Sequence, residues 1–371
     1  MADIEADRES EVAALLDELT SVSAVSGREA PMRALLARLL SFADELSTDA
    51  LGNVIARLHP TRAPEGGRAP RVMLAAHMDE IGLVVASIDD DSGALRVLPV
   101  GGVDIRNLLA SDVVVHTRGG PLPGIVGSTP PHLTAAKERS KPPAWDDLFI
   151  DLGLSPEEVR ARVRPGDVVS FVGPGMRLGA GRYTAKALDN RAGLAAALLA
   201  FRRLQESERP AEVVLVATSQ EEVGTRGAAA AAHAVAPDAA VAIDVGFAGM
   251  PGLAKRETIE MGKGPAVSTG ANVHPQLREL LLETAAEREI PVQVEVLPGH
   301  SGTDAWPIQV ALQGIPTGII SIPLRYMHSP VEVVELADVA AAAELAAGFC
   351  QKVTPDRIGG WHGVSLAGSA E

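Results

Sequence analysis

The sequence predicts an α/β fold, a largely parallel sheet covered by helices on both faces, with a small β-rich unit inserted into it. Two observations carry this. Past Gly181, strand-type and helix-type stretches alternate almost to the end of the chain, the pattern that builds parallel βαβ units. From about residue 85 to 176, short β-type runs separated by Gly- and Pro-containing turns replace that alternation, which is the texture of a small barrel or sandwich.

In chain order, Val12, Leu15, Leu16 and Leu19 give residues 9–22 a helical apolar pattern, which Ser26-Gly27 breaks. Met32, Leu35, Leu36, Leu39 and Leu40 resume it over Glu29 to Leu40. Leu46 to Leu58 reads as a strand pair turning at Leu51-Gly52-Asn53, and Val72 to Ala76 as a short buried strand. Within the insert, strands are expected at Leu95–Val100, Asp112–Thr117, Gly124–Val126 and Asp167–Val172. Its one clear helix spans Ser155 to Val163, with Ser155 as N-cap and Pro156 at the first helical position. Residues 132–147 are charged and read as a mobile loop.

Beyond Gly181, helices are expected at Asn190–Leu204, Arg226–Val235, Pro275–Arg288, Thr303–Gln313 and Glu332–Lys352. Strands are expected at Val213–Thr218, Ala239–Asp244, Val292–Val296 and Thr317–Ile322. The expected organisation is a main domain in two parts, residues 1–84 and 177–353, the insert at 85–176, and a poorly ordered tail over 354–371.

Composition narrows the function. A chain of 371 residues, 46% hydrophobic, can bury one large domain and a smaller one. A net charge of −15 argues against nucleic acid and anionic membrane surfaces as partners. The only cysteine, Cys350, lies in an Ala-rich apolar helical pattern and reads as core; one cysteine excludes a disulfide framework and a Cys-rich zinc site. The charged start, Met1 to Arg8, is no secretory signal, and no apolar run reaches spanning length, so the expectation is a soluble cytoplasmic protein.

The chemistry concentrates at strand ends. Thr218-Ser-Gln-Glu-Glu-Val-Gly224 places two carboxylates, Glu221 and Glu222, at the mouth of an apolar β-branched run. Inside a strand, neighbours face opposite ways, so one of the pair would enter a hydrophobic layer; beyond the strand end both can turn into a cleft. His77 and Asp79 follow one apolar run, Asp244 ends another, and His328 follows a third after a short loop. Asp189 lies where a loop enters a helix. In open α/β sheets ligands bind at the carboxyl ends of strands, so these positions would converge. Two histidines and several carboxylates make a mixed N/O set suited to Zn²⁺, Co²⁺ or Mn²⁺. A single Asp can bridge two ions roughly 3.5–4 Å apart. Singly, each residue has a commoner role: Asp189 as an N-cap, Asp79 as a turn former, Asp244 capping a turn, His77 and His328 as satisfied histidines. Those roles do not explain why ligand types recur at strand ends.

An ordered set of motifs then resembles the M42 family of metallo-aminopeptidases, which includes tetrahedral aminopeptidases, glutamyl aminopeptidases and proteins labelled endoglucanase M. The motifs are Ala76-His-Met-Asp-Glu-Ile-Gly82, Ala187-Leu-Asp-Asn-Arg191, Ser219-Gln-Glu-Glu-Val-Gly224, Ala242-Ile-Asp-Val-Gly246, Ser301-Gly-Thr-Asp-Ala305 and Arg325-Tyr-Met-His-Ser-Pro330. In the insert, Val100-Gly-Gly102, Gly127-Ser-Thr-Pro-Pro-His132 and Asp147-Leu-Phe-Ile-Asp151 also match.

The resemblance implies a co-catalytic zinc-peptidase type sheet with an inserted barrel or PDZ-like dimerisation domain. It implies two Zn²⁺ or Co²⁺ ions per subunit on His77, Asp189, Glu222, Asp244 and His328, with Asp189 bridging. It implies that Asp79 orients His77 and that Glu221 is the general base toward a metal-bridging water. Its partners would be peptide substrates and copies of itself, as dimers and a tetrahedral dodecamer. His132 falls in a loop that the resemblance places near subunit contacts or the active-site entrance. His300, beside Ser301-Gly302, reads as loop surface rather than cleft lining.

The rival on the same fold is a carboxypeptidase or N-acyl amino acid deacylase, which an N-terminally blocked substrate distinguishes. A glycosidase would need two carboxylates across a sugar bond and no metal. An inactive assembly scaffold would not need the full ligand set.

Overall fold

The computed structural model describes residues 2–62, 68–130, 132–133 and 143–361. Helices α1 (Ala2–Thr20) and α2 (Ala30–Leu39) open the chain, followed by the hairpin of β1 (Glu45–Thr48) and β2 (Val54–Leu58), then β3 (Arg71–His77). Next come β4 (Gly82–Ile88), β5 (Leu95–Val100), β6 (Asp112–Thr117), β7 (Gly120–Ser128), β8 (Leu148–Asp151), α3 (Pro156–Arg162) and β9 (Val168–Phe171). The middle of the chain holds β10 (Met176–Leu178), β11 (Arg182–Ala185), α4 (Leu188–Gln205), β12 (Glu212–Thr218), α5 (Arg226–Val235) and β13 (Ala239–Phe247). It closes with β14 (Ala266–Gly270), α6 (Pro275–Glu287), β15 (Gln293–Leu297), α7 (Ala305–Gln309), β16 (Thr317–Arg325), β17 (Glu332–Glu335), α8 (Leu336–Lys352) and α9 (Pro355–Gly359).

The large sheet runs β1-β2-β12-β3-β13-β16-β17-β11-β10, with β14 joining β16 and β15 joining β14. Its centre, β12-β3-β13-β16, is parallel. Period-2 alternation divides the central side chains between two cores. Val72, Leu74 and Ala76 pack with α1, α4 and α8 on one face, while Met73 and Ala75 pack with Ala228, Ala231 and Ala232 of α5 and Ile308 of α7 on the other. Both faces of the centre are therefore dry, which is why its strands read as unbroken apolar runs. Strands β4 to β9 close a barrel in the order β4-β5-β8-β7-β6-β9. Leu83, Val85, Leu95, Val113, Val115, Ile150 and Val169 fill its interior. Ser155 caps α3, with its hydroxyl accepting from the Glu158 amide and Glu158 reaching back to the Ser155 amide.

Several elements differ from the sequence expectation. The sheet is parallel at its centre and between β14 and β15, but β1, β2, β17, β11 and β10 pair antiparallel, as does β14 with β16. Glu332 to Glu335 is not the first turn of the last helix but strand β17, because Val333 and Val334 find partners on both β16 and β11. The helix expected over Thr303–Gln313 is helical only over Ala305–Gln309, and Leu312 and Gly314 adopt positive φ directly after it. Strand β13 runs three residues past Asp244. In the expected tail, α9 forms and Trp361 stacks on Phe349 of α8; residues 362–371 lie outside the described residues, as does most of the charged loop 132–147. Cys350 is a buried free thiol. Among the described residues, no helix is long and apolar enough to cross a membrane.

Candidate metal centre

The parallel strands deliver the site. His77 is the last residue of β3, and its register partner on β12 is Thr218, after which the chain turns through Gln220 in the left-handed region (φ 57°) to present Glu221 and Glu222. Asp244 leaves β13 on the same edge, and Asp189 lies in a non-helical kink at the start of α4. His328 follows β16 with φ 62°. Ala187, Tyr326 and Thr225 also hold positive φ around this edge, a concentration of costly backbone that occurs where geometry is dictated by a site.

Asp189 stands between the two histidines. Its Oδ1 is 3.1 Å from His77 Nε2 and its Oδ2 is 3.4 Å from His328 Nε2. On the His77 side, Asp244 Oδ1 is 3.9 Å and Glu221 Oε2 4.0 Å from Nε2. On the other side, Glu222 Oε2 is 3.4 Å from His328 Nε2. His77, Asp189 and Glu222 each offer a donor atom within 4.8 Å of the others. All five expected ligands and Glu221 line a cavity of about 610 Å³.

Both imidazoles are aimed by their far nitrogen. His77 Nδ1 lies 3.3 Å from the Asp79 carbonyl oxygen and 3.6 Å from its Oδ1. The Nδ1–H of His328 donates to the Gly102 carbonyl at 2.9 Å. Each therefore turns its Nε2 inward, the arrangement by which a partner on one ring nitrogen orients a metal-ligating histidine. A Cβ on Gly102 would fall 2.7 Å from His328 Nδ1, so only glycine lets the loop after β5 make this contact. Asp79 also accepts the Glu221 amide on Oδ1 at 3.0 Å and the Glu222 amide on Oδ2 at 3.2 Å, with Ser26 Oγ donating to Oδ2.

The electrostatics are those of an uncompensated acid cluster. Burial pushes Glu221 up to about 10, with Asp304, Asp244 and Glu222 adding repulsion against the opposing pull of His77. Burial likewise raises Asp244 and Glu222. Asp189 goes the other way: burial opposes its ionisation, but hydrogen bonds to His328 and His77 hold it below the usual carboxylate range. Those bonds to Asp189 and Glu222 lift His328 to about 11. Carboxylates this crowded and dry need positive charge, and inward Nε2 atoms among oxygens are the donor chemistry of a borderline divalent cation. The residues present fit such ions.

Two buried acids of this region escape a sequence reading. Glu332 accepts the Asp189 amide at 2.9 Å and the His328 amide at 2.7 Å, so one carboxylate fixes the backbone of both residues. Its position as the first residue of a strand whose sequence reads as the start of a helix hid it. Asp304 accepts from Thr218 Oγ1, and burial raises it to about 6. His300 lines the cavity and meets Trp306 edge to face, with ring centroids 5.0 Å apart, and so is not merely loop surface. His132 is exposed and outside this cluster.

The comparisons agree with this architecture. The M42 glutamyl aminopeptidase profile matches residues 52–345. The chain is 40% identical over 346 residues to a lysyl aminopeptidase of Pyrococcus furiosus, covering 92% of this chain and 97% of that protein. An aminopeptidase structure from Desulfurococcus kamchatkensis superposes with a TM-score of 0.89 at 41% identity, covering 96% of this chain and 99% of that one. The TET1 peptidase of Pyrococcus horikoshii, which can assemble into a tetrahedron or an octahedral shell, gives 0.81 at 33% identity, covering 92% and 100%. With the family profile matched over residues 52–345 and 40% identity to a relative along 92% of its length, the chain is a peptide hydrolase and belongs to the M42 glutamyl aminopeptidase family.

Proposed function

We propose that this enzyme removes the N-terminal residue of peptides with two divalent ions, Zn²⁺ or Co²⁺. His77 and Asp244 would hold one, Glu222 and His328 the other, and Asp189 both. The observation that carries this is the division of Asp189, one oxygen toward each histidine. When bound, the ions supply Lewis-acid polarisation and make water acidic near neutral pH. Glu221 is the proton carrier: its carboxylate takes the proton of the attacking water and returns it to the leaving amine. Asp79 holds the Glu221 and Glu222 amides and so keeps base and ligand in register. Dialysis against a chelator is expected to abolish turnover of aminoacyl chromogenic substrates, and Zn²⁺ or Co²⁺ to restore it. An N-terminally blocked substrate is expected to resist cleavage. Full turnover by an exhaustively metal-free sample would overturn the metal reading, and cleavage of the blocked substrate would favour a deacylase.

The barrel of β4 to β9, residues 82–171, is the self-association module in this reading, pairing subunits into dimers and those into a tetrahedral dodecamer. Leu98 and Ile125 support it, because both barrel residues are 53% exposed, and bare apolar area on a small barrel favours a partner surface. Leu98→Glu with Ile125→Glu is expected to lower the mass measured by light scattering while leaving the circular dichroism unchanged. An unaltered mass would count against the barrel as the contact.

A further inference from the structure

The cavity at the metal centre is also lined by residues that the proposed mechanism does not use. They include Gly246 and Phe247 of β13, Glu295 and Leu297 of β15, Ser321 of β16 and Met327. Gly246 lies two residues after Asp244, on the same side of its strand and about 6.6 Å along it. A Cβ at Gly246 would fall 3.0 Å from Glu295 Oε1 and 3.1 Å from Ser321 Cβ. The absence of a side chain there keeps the way from the metal centre to Glu295 open.

Glu295 is built to face that opening. Ser268 Oγ donates to Oε2 at 2.9 Å and Ser321 Oγ to the same oxygen at 2.6 Å. Both hydroxyls come from strands in the sheet, so the carboxylate is held from behind. Oε1 is left toward the cavity. Among the described residues, no Lys, Arg or His lies within ion-pair distance of Glu295, so none of them compensates its carboxylate. Leu297, Phe247 and Met327 give the approach an apolar lining. An aliphatic stem ending in a cation matches this pocket, as stem and head prefer those two surroundings.

We propose that Glu295 is the specificity residue for the N-terminal side chain and that it selects lysine or arginine. This rests on the aminopeptidase reading above and deepens it. The names of relatives do not decide the matter, since the family is described by a glutamyl activity and one relative by a lysyl one, which call for opposite charges. A carboxylate in the pocket repels an acidic substrate side chain and leaves a neutral one without a partner for Oε1.

The test is a panel of Lys, Arg, Leu and Glu aminoacyl chromogenic substrates on the metal-loaded wild type, Glu295→Gln and Glu295→Lys. Wild type is expected to favour Lys and Arg over Glu by at least roughly 100-fold in kcat/KM. Glu295→Gln is expected to lose about 10- to 100-fold on Lys and Arg, mostly in KM, the range for removing a charge-assisted hydrogen bond, with Leu changed by less than about threefold. Glu295→Lys is expected to reverse the order toward Glu. Equal losses on all four substrates would overturn the proposal, showing that Glu295 holds the α-ammonium or the sheet instead. Wild type that prefers Leu or Glu overturns it as well. A wild type that cleaves none of the four overturns the aminopeptidase reading and this one together, whereas robust Leu cleavage with no Lys preference overturns this one alone.

Discussion

Glu221→Gln is expected to keep its metal and lose at least the roughly 10²–10⁴-fold in kcat typical of general acid–base catalysis. Glutamine preserves the shape of the side chain and its hydrogen bonding but cannot accept a proton from water. The Glu221 amide, held by Asp79 Oδ1 at 3.0 Å, belongs to the backbone and survives the change. The neighbouring Glu222→Gln is expected to behave differently. Its carboxylate lies 3.4 Å from His328 Nε2 and beside Asp189, so the substitution removes a charged donor and metal should leave with activity. Elemental analysis beside kcat on both purified variants checks this. A Glu221→Gln protein that has lost its metal, or that turns over near the normal rate, would show that the two carboxylates have been assigned the wrong way round.

That adjacent glutamates can be told apart at all comes from the turn after β12, and the turn is only half legible in the sequence. The apolar run Val213–Thr218 announces a buried strand, and a carboxylate pair directly after it announces a cleft. What separates their directions is the left-handed Gln220 and the clamp of Asp79 on both amides. Neither follows from local propensity, since Gln has no preference for positive φ and Asp79 comes from the loop after β3, distant in sequence. The same holds at Asp244. Asp244 interrupts an apolar run because it lines a cavity, and backbone pairing with β16 continues past it to Phe247.

The barrel was readable from its turn spacing and the central sheet from its unbroken apolar runs. The antiparallel rim was less so. Strand β17 is short, and Glu332-Val-Val-Glu335 runs directly into the Ala-rich α8, so a helical period absorbs it. Tertiary pairing decides such segments against propensity, and the cost of missing it was Glu332. That carboxylate matters because it spans the amides of Asp189 and His328, two residues that share no local sequence. Gly102 escaped as a functional contact for a related reason: its role is a carbonyl given to a histidine some 226 positions later, and a carbonyl leaves no mark in residue type.

Asp189→Ala is expected to empty the whole centre, because among the described residues Asp189 alone lies within ion-pair distance of both histidines. Its Oδ1 and Oδ2 lie 3.1 and 3.4 Å from His77 and His328, whereas Asp244 is ranged with His77 and Glu222 with His328. On the two-ion reading, Asp244→Ala and His328→Ala each weaken one ion, while Asp189→Ala weakens both and lowers kcat further than Glu221→Gln. The fold should tolerate it, since Glu332 grips the backbone amide at position 189 and not the side chain, and α4 is anchored by Leu194, Leu198 and Phe201 in the main core. Metal per subunit measured after gel filtration in chelator-free buffer, with a melting curve beside it, separates loss of ions from loss of structure. An Asp189→Ala protein that keeps as many ions as wild type would remove the bridge, and one that keeps a single ion as firmly as His328→Ala does would reduce Asp189 to an ordinary ligand of one site.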